Sequence, residues 1–161
     1  MKIEDEIQSS FKNQYQKAGV NLVYTGNWYI YYSAVFFKRF NLTGSQYNIL
    51  RIVRGANRQV SIKYIKERML DRVSDVSRVA EKLKNRGLIA RAESEMDRRL
   101  VDISITPAGI ELLETIEPEL KQLDKFFTHL TDSELADFNR LMNKIREANL
   151  KQFTEFISRK S

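Results

Sequence analysis

The stretch from Ser74 to Ile89 admits few folds. Val76, Val79, Ala80 and Leu83 recur at i, i+3, i+4 and i+7, the spacing of a helix with one buried face. Gly87 follows the last of them, where a left-handed residue ends a helix. At about 100° per residue, the centre of the opposite face falls on Ser74, Arg78, Glu81 and Asn85. Asp75 and Lys82 lie to one side of it and Ser77 to the other. Hydroxyls, an amide and guanidinium groups are the chemistry that reads base edges and phosphates. They also cover ordinary solvated helix faces. On this helix alone both readings stand.

Its neighbours narrow the choice. Residues Ser61 to Met69 carry Ile62, Ile65 and Met69 on one face and form a second, shorter helix, which Leu70 to Val73 separate from Ser74. Two short helices joined by such a turn make a helix-turn-helix. Beyond Gly87, Leu88 to Ala92 reads as a strand, and Val101, Ile103 and Ile105 alternate with Asp102 and Ser104 at the strand period of two. Between the two strands lies a polar hairpin tip, Glu93 to Arg99, which ends in a pair of arginines. Helix, turn, helix and basic hairpin, in that order from Leu42 to Ile105, define a winged helix-turn-helix.

Five groups of residues carry a family resemblance. They are Leu42-Thr43-x-x-Gln46-Tyr47-x-Ile49-Leu50, Val76-Ser77-Arg78, Leu83-x-x-x-Gly87-Leu88-Ile89-x-Arg91, Asp97-Arg98-Arg99 and Ile105-Thr106-x-x-Gly109. Together they resemble the MarR family of bacterial transcription regulators, closely from Leu42 to about Leu113 and in arrangement only beyond. The resemblance implies a homodimer that binds an inverted-repeat operator in double-stranded DNA. It further implies repression, with a small molecule as the releasing effector. The expected fold is mainly α with a small β-wing: a winged helix-turn-helix at 43–105, flanked by dimerisation helices at 1–42 and 106–161.

Charge is distributed as that reading requires. Residues 43–105 hold 14 Lys and Arg against 8 Asp and Glu, whereas 1–42 hold 5 against 3 and 106–161 hold 8 against 10. The net charge of +6 therefore resides in the segment with the DNA-binding pattern, as expected for a polyanion partner. The chain has no cysteine, which excludes disulfides and a thiol redox switch. No apolar run approaches the length of a membrane span and no signal-peptide pattern opens the chain, so a cytoplasmic protein without membrane contact is expected.

The flanks read as helices. Ile3, Ile7, Phe11 and Tyr15 form an apolar stripe on a first helix, with a break or bend expected at Ala18-Gly19. A second helix from Val20 to Phe40 is dense in aromatics and apolar around much of its circumference. Thr43-x-x-Gln46 is a capping box for the next helix, Gly55 to Gln59 reads as a loop, and Val60 adds a short strand against the wing. Thr106-Pro107 starts a helix whose apolar seam runs to Leu130 with a kink at Pro118. Thr131-x-x-Glu134 starts the last, with Leu135, Phe138, Leu141 and Ile145 on a near-heptad seam. Seams of this kind want helical partners.

Within the DNA-binding reading, Ser74, Ser77 and Arg78 carry contacts from the first half of the recognition helix, flanked by Asp75 and Lys82, while Arg72 and Lys84 bind phosphate. By resemblance Arg99 enters the minor groove, Arg98 binds phosphate and Asp97 braces the tip. Tyr24, Trp28, Tyr29, Tyr32 and Phe36 have two readings: filler for the core and a dimer interface, or the walls of a pocket for a small aromatic or lipophilic effector. The single histidine, His129, has no second histidine or cysteine nearby, and no phosphate loop or nucleophile elbow is present. No metal, cofactor or enzymatic activity is therefore expected. The competing non-catalytic reading is a protein-interaction module on a winged-helix scaffold, without specific DNA readout.

Overall fold

The structure, a computed structural model, describes residues 2–8, 10–71, 75–93 and 101–158. Helix α1 (Ile3–Ile7) ends at Gln8 in the left-handed conformation, and α2 (Gln14–Lys38) starts at Asn13, whose side-chain oxygen accepts from the Gln16 N–H at 2.9 Å. The break between the first two helices thus falls at 8–13 and not at Ala18-Gly19. Gly19 lies inside α2, because one glycine costs a long helix only about 1 kcal/mol. Tyr15, expected on the buried stripe, is exposed, while Ile3 is buried.

Helix α3 (Gly44–Ala56) opens on the expected capping box. The Thr43 hydroxyl accepts from Gln46 N–H, and the Gln46 side chain accepts from Thr43 N–H at 2.8 Å. The helix runs through Gly55, two residues further than its loop-like composition suggests, and Asn57 ends it in the left-handed conformation. Strand β1 (Val60–Ser61) leads into α4 (Ile62–Arg68), capped by Ser61, and then into α5 (Val76–Asn85). Strands β2 (Ile89–Glu93) and β3 (Val101–Ile105) complete an antiparallel sheet in the order β1-β3-β2. Val60 opposes Ile103, and Ile89 opposes Ile105, so the hairpin register runs to Glu93 opposite Val101.

α3 is the axis of this unit. It packs against α2, α4, α5, β3 and α6 (Pro107–Ile116), and Ile49, Leu50, Ile52 and Val53 are buried in that contact. Ile65, Val76, Ala80, Leu83, Ile89, Ile103, Leu113 and Ile116 close the same core from the other elements. The end of α5 is fixed by its sequence: Gly87 takes φ 70°, Gly87 N–H donates to Lys84 O at 2.8 Å, and Leu88 N–H reaches back to Leu83 O at 3.0 Å. Thr106 then joins the two ends of the wing. Its backbone N–H donates to Leu88 O at 3.2 Å and its hydroxyl to Gly87 O at 2.6 Å, and that hydroxyl also accepts from Gly109 N–H to cap α6. A Cβ on Gly109 would lie 2.2 Å from Leu88 O, so only glycine fits this junction.

Pro118 breaks the following helix instead of kinking it. α6 ends at Ile116, a 3-10 turn spans Glu117–Glu119, and the short α7 covers Lys121–Asp124. Proline lacks the N–H that would continue the ladder. Glu117 pairs with Arg54, Glu119 with Arg39 at 3.4 Å, and the Tyr32 hydroxyl donates to Gln122 O at 2.8 Å, which hold the turn against α2 and α3.

Residues 124–161 form a second unit. In it α8 (Asp132–Ser158) begins at the capping box read from the sequence, with Thr131 N–H donating to Glu134 Oε2 at 2.8 Å. Phe138, Leu141 and Ile145 leave an exposed apolar face along α8. No helix among the described residues is long and apolar enough to cross a membrane.

Candidate nucleic-acid interface

The helix α5 is locked on one side and open on the other. Val76, Ala80 and Leu83 are buried, while Ser77, Arg78, Lys82, Lys84 and Asn85 are exposed. Ser77, Arg78 and Lys82 have no side-chain hydrogen bond or ion pair among the described residues. The helix begins two residues later than the sequence pattern suggests, because Asp75 is its cap: a carboxylate oxygen accepts from the Arg78 N–H at 3.1 Å. Asp75 therefore fixes the start of the exposed face and places the first residues of α5 in register.

Two ties set the angle of this helix. Arg91 on β2 donates to Glu81 Oε2 at 2.5 Å, joining the middle of α5 to the wing. Arg86 donates to Asn41 O at 2.5 Å and joins the end of α5 to the turn between α2 and α3. Lys84 also approaches Glu81, at 3.4 Å. The hydrogen bond from Arg91, with a further contribution from Lys84, holds the Glu81 carboxyl below its ordinary value. By helical periodicity Glu81 lies near the centre of the face expected to meet DNA, but in the structure it is a brace. That pairing spans ten residues of sequence and two kinds of secondary structure, so helical periodicity carries no sign of it. The outward-facing Arg91 in the Ile89-x-Arg91 strand pattern is the one hint.

Of the nine residues expected to touch DNA, Asp75, Ser77, Arg78, Lys82 and Lys84 are brought together on α5. Arg72, Ser74, Arg98 and Arg99 lie outside the described residues, as does Asp97 at the wing tip. The strands that carry the tip, β2 and β3, extend from the same lobe as α5.

A cavity of about 400 Å³ opens beside the lobe. Tyr29, Ser33, Ala34 and Phe37 of α2 form one wall, Tyr47, Asn48 and Arg51 of α3 another, and Met69, Leu70 and Asp71, just beyond α4, a third. Asn48 is buried, accepts from Arg51 at 3.1 Å and donates to the Met69 sulfur at 3.6 Å, a weak acceptor. Burial pushes the Tyr47 phenol above its ordinary value and keeps it a neutral donor. Of the five aromatics named from the sequence, Tyr29 lines this cavity. Tyr24 donates to Glu6 and tilts against Trp28 at 5.4 Å, Tyr32 serves the Gln122 carbonyl, and Phe36 is buried against Phe37 and Phe40. Trp28 is half exposed. Among the described residues no cluster of three His, Cys, Asp or Glu is placed to hold a metal ion.

A helix-turn-helix whose second helix shows an exposed polar and cationic face, braced to a three-stranded wing, is the lobe of a winged helix-turn-helix DNA-binding protein. The chain belongs to the MarR family of transcription regulators. The family model matches residues 40–100. The transcriptional regulator MgrA of Staphylococcus aureus is 35% identical over 121 residues, which are 73% of this chain and 79% of MgrA. A MarR transcription factor from Planctomyces limnophilus superposes with a TM-score of 0.65 at 29% identity, over 83% of this chain and 98% of that one. Bordetella bronchiseptica BpsR, whose DNA binding is regulated by 6-hydroxynicotinic acid, superposes with a TM-score of 0.67 at 25% identity, over 80% and 98%. The family and these relatives are transcription regulators, not enzymes.

Proposed function

We propose that this protein is a homodimeric repressor that binds an inverted-repeat operator and is released by a small aromatic or lipophilic acid. The observation that carries the reading is the face of α5, where Ser77, Arg78 and Lys82 stand exposed, without a side-chain partner among the described residues, on a helix fixed by Arg91 and Arg86. Ser77 and Arg78 would read base edges, joined by Ser74, with Lys82 and the capping Asp75 beside them. Lys84 and Arg72 would bind phosphate, and the wing would bring Arg99 to the minor groove, Arg98 to phosphate and Asp97 to brace them. Two apolar faces support a dimer built from the segments 1–42 and 106–161. On α2, Leu22, Val23, Trp28, Ile30, Tyr31 and Val35 are exposed, and on α8 so are Phe138, Leu141 and Ile145. Such faces seek a helical partner.

The cavity supports the effector. Its walls are largely apolar and aromatic, and Arg51 offers a guanidinium held beside Asn48. That chemistry fits a ring bearing a carboxylate. The response of BpsR to 6-hydroxynicotinic acid is a precedent from a related chain. Because Met69 to Asp71 form one wall, an occupant would bear directly on the end of α4, the first helix of the helix-turn-helix.

The test is titration of labelled DNA from upstream of the protein's own gene. Arg78→Ala should cost about 1–3 kcal/mol and relax sequence preference, whereas Lys84→Ala should weaken all sequences alike. If Arg78→Ala leaves affinity and preference unchanged, α5 does not read DNA through this face.

A further inference from the structure

A second group of cations lies away from α5, on the segment 57–70. Arg58, Lys63, Lys66 and Arg68 are all exposed there, against Glu67 as the one acid. This segment supplies half of the net charge of +6 of 43–105, yet it contains no residue assigned above to DNA. Its centre is Tyr64. The Arg68 guanidinium carbon lies 3.5 Å from the ring centroid and that of Arg58 lies 5.3 Å away. The two cations therefore share one aromatic ring.

Like charges do not gather around one side chain without compensation. The ring quadrupole attracts each guanidinium, but an exposed cation–π contact is weak. Stacking uses the flat face of a guanidinium and leaves its N–H edges pointing outward in a rigid fork. Arg68 spends Nη1 on the Tyr64 carbonyl at 3.2 Å and on Glu67 at 3.5 Å, and Nη2 has no partner among the described residues. Arg58 has no hydrogen bond or ion pair among them. The ring thus gathers two guanidinium groups that have donors to spare.

The topology says where this group sits. β1 pairs with β3, so Ser61 lies opposite Asp102, next to the strand end that leads toward the wing tip, and α4 starts there. In a helix-turn-helix the first helix crosses the sugar–phosphate backbone while the second enters the groove. α4 is that first helix.

We infer that Arg58 and Arg68, gathered at the Tyr64 ring, form a second phosphate clamp that grips duplex DNA outside the groove read by α5. The inference rests on the DNA-binding reading above. Tyr64 is the positioning residue, and the two arginines make the contacts. A backbone clamp fixes register without reading sequence, so its loss weakens specific and random DNA alike.

The test measures affinity for a random-sequence duplex of about 30 bp, roughly three helical turns, across a series of salt concentrations. Each phosphate contact adds about 0.9 to the magnitude of the log–log slope. Arg58→Gln and Arg68→Gln should each lower it by about that amount, and the double variant by about twice as much. Tyr64→Leu should lower the slope part of the way, and Tyr64→Phe, which keeps the ring, should restore it. Thermal melting of the free variants should stay within a few degrees of the parent, since all these side chains reach the surface. An unchanged slope in the double variant overturns the clamp while leaving DNA binding intact. A fall in melting temperature that fully accounts for lost binding assigns the stack to stability and also overturns it. Failure of the unaltered protein to bind any duplex at low salt would overturn the DNA-binding reading itself.

Discussion

Adding one methyl group at Gly109 tests how tightly the wing is tied to the helices. The Cβ of Gly109→Ala would lie 2.2 Å from Leu88 O, 3.2 Å from Leu88 C and 2.8 Å from Ile105 Cγ1. A carbon settles against a carbonyl oxygen at about 3.3–3.6 Å, so the start of α6 and the Leu88 carbonyl must separate by roughly 1 Å. The carbonyl cannot simply swing aside, because it accepts from Thr106 N–H at 3.2 Å. Overpacking of this kind costs about 1–3 kcal/mol, and the weakened hydrogen bond about 1 more. The better helix propensity of alanine returns up to about 1 kcal/mol. The net loss is then about 1–4 kcal/mol, or roughly 2–16 °C in melting temperature for a chain of this size. Gly55→Ala makes the same chemical change in α3 with nothing within 4 Å of the new Cβ, and should be neutral or stabilising by up to about 0.5–1 kcal/mol. Urea denaturation of both variants at one fixed protomer concentration reads the difference. Equal midpoints for Gly109→Ala and the parent would show that the junction at Leu88 is not close-packed.

Acid should loosen the protein in a definite window. Glu81 is held below its ordinary value of 4.5 by Arg91, Glu117 by Arg54, and Glu134 by the Thr131 backbone and hydroxyl. Each of these groups binds its proton less readily folded than unfolded. Their stabilisation is therefore complete above about pH 4.5 and lost as the pH falls through the lower folded values. The urea midpoint should hold steady from pH 7 to about pH 5 and fall below that, and Glu117→Gln should flatten the fall. A midpoint that drops mainly above pH 5 would point to other groups. At the cavity, Arg51→Met should abolish thermal stabilisation by 6-hydroxynicotinic acid and similar aromatic acids while leaving DNA binding in place. Undiminished stabilisation would move the acid site elsewhere.

Features decided by a few neighbouring residues were legible in the sequence. The boxes Thr43-x-x-Gln46 and Thr131-x-x-Glu134, and the Thr106-Pro107 start, appear in the structure as read, because a cap is formed within one turn. The same locality misleads at Gly19, whose propensity penalty is too small to break α2, while the start of that helix is set by the capping Asn13. Pro118 marks an interruption in the sequence itself, but Arg54, Arg39 and Tyr32, which hold the turn it creates, come from distant parts of the chain. The polar face of α5 followed from periodicity. The part taken by Glu81 did not, since its partner Arg91 arrives from another strand. The aromatic surplus of α2 was visible as composition, but which rings line the cavity depends on what α1, α3 and the turn near Gln122 take for themselves. Tyr64 and Arg68 stand four apart on one helix, a spacing that brings side chains together, while the approach of Arg58 required the fold.

The central claim is that two copies of α5 read one DNA site, and selection of bound duplexes from a random pool tests it most directly. The account predicts an enriched inverted repeat with half-sites about one helical turn, roughly 10 bp, apart, because two recognition helices related by a twofold axis must meet successive major grooves on one face. Enrichment of a single, non-repeated site, or of no sequence at all at a salt concentration where the protein still binds DNA, would contradict it.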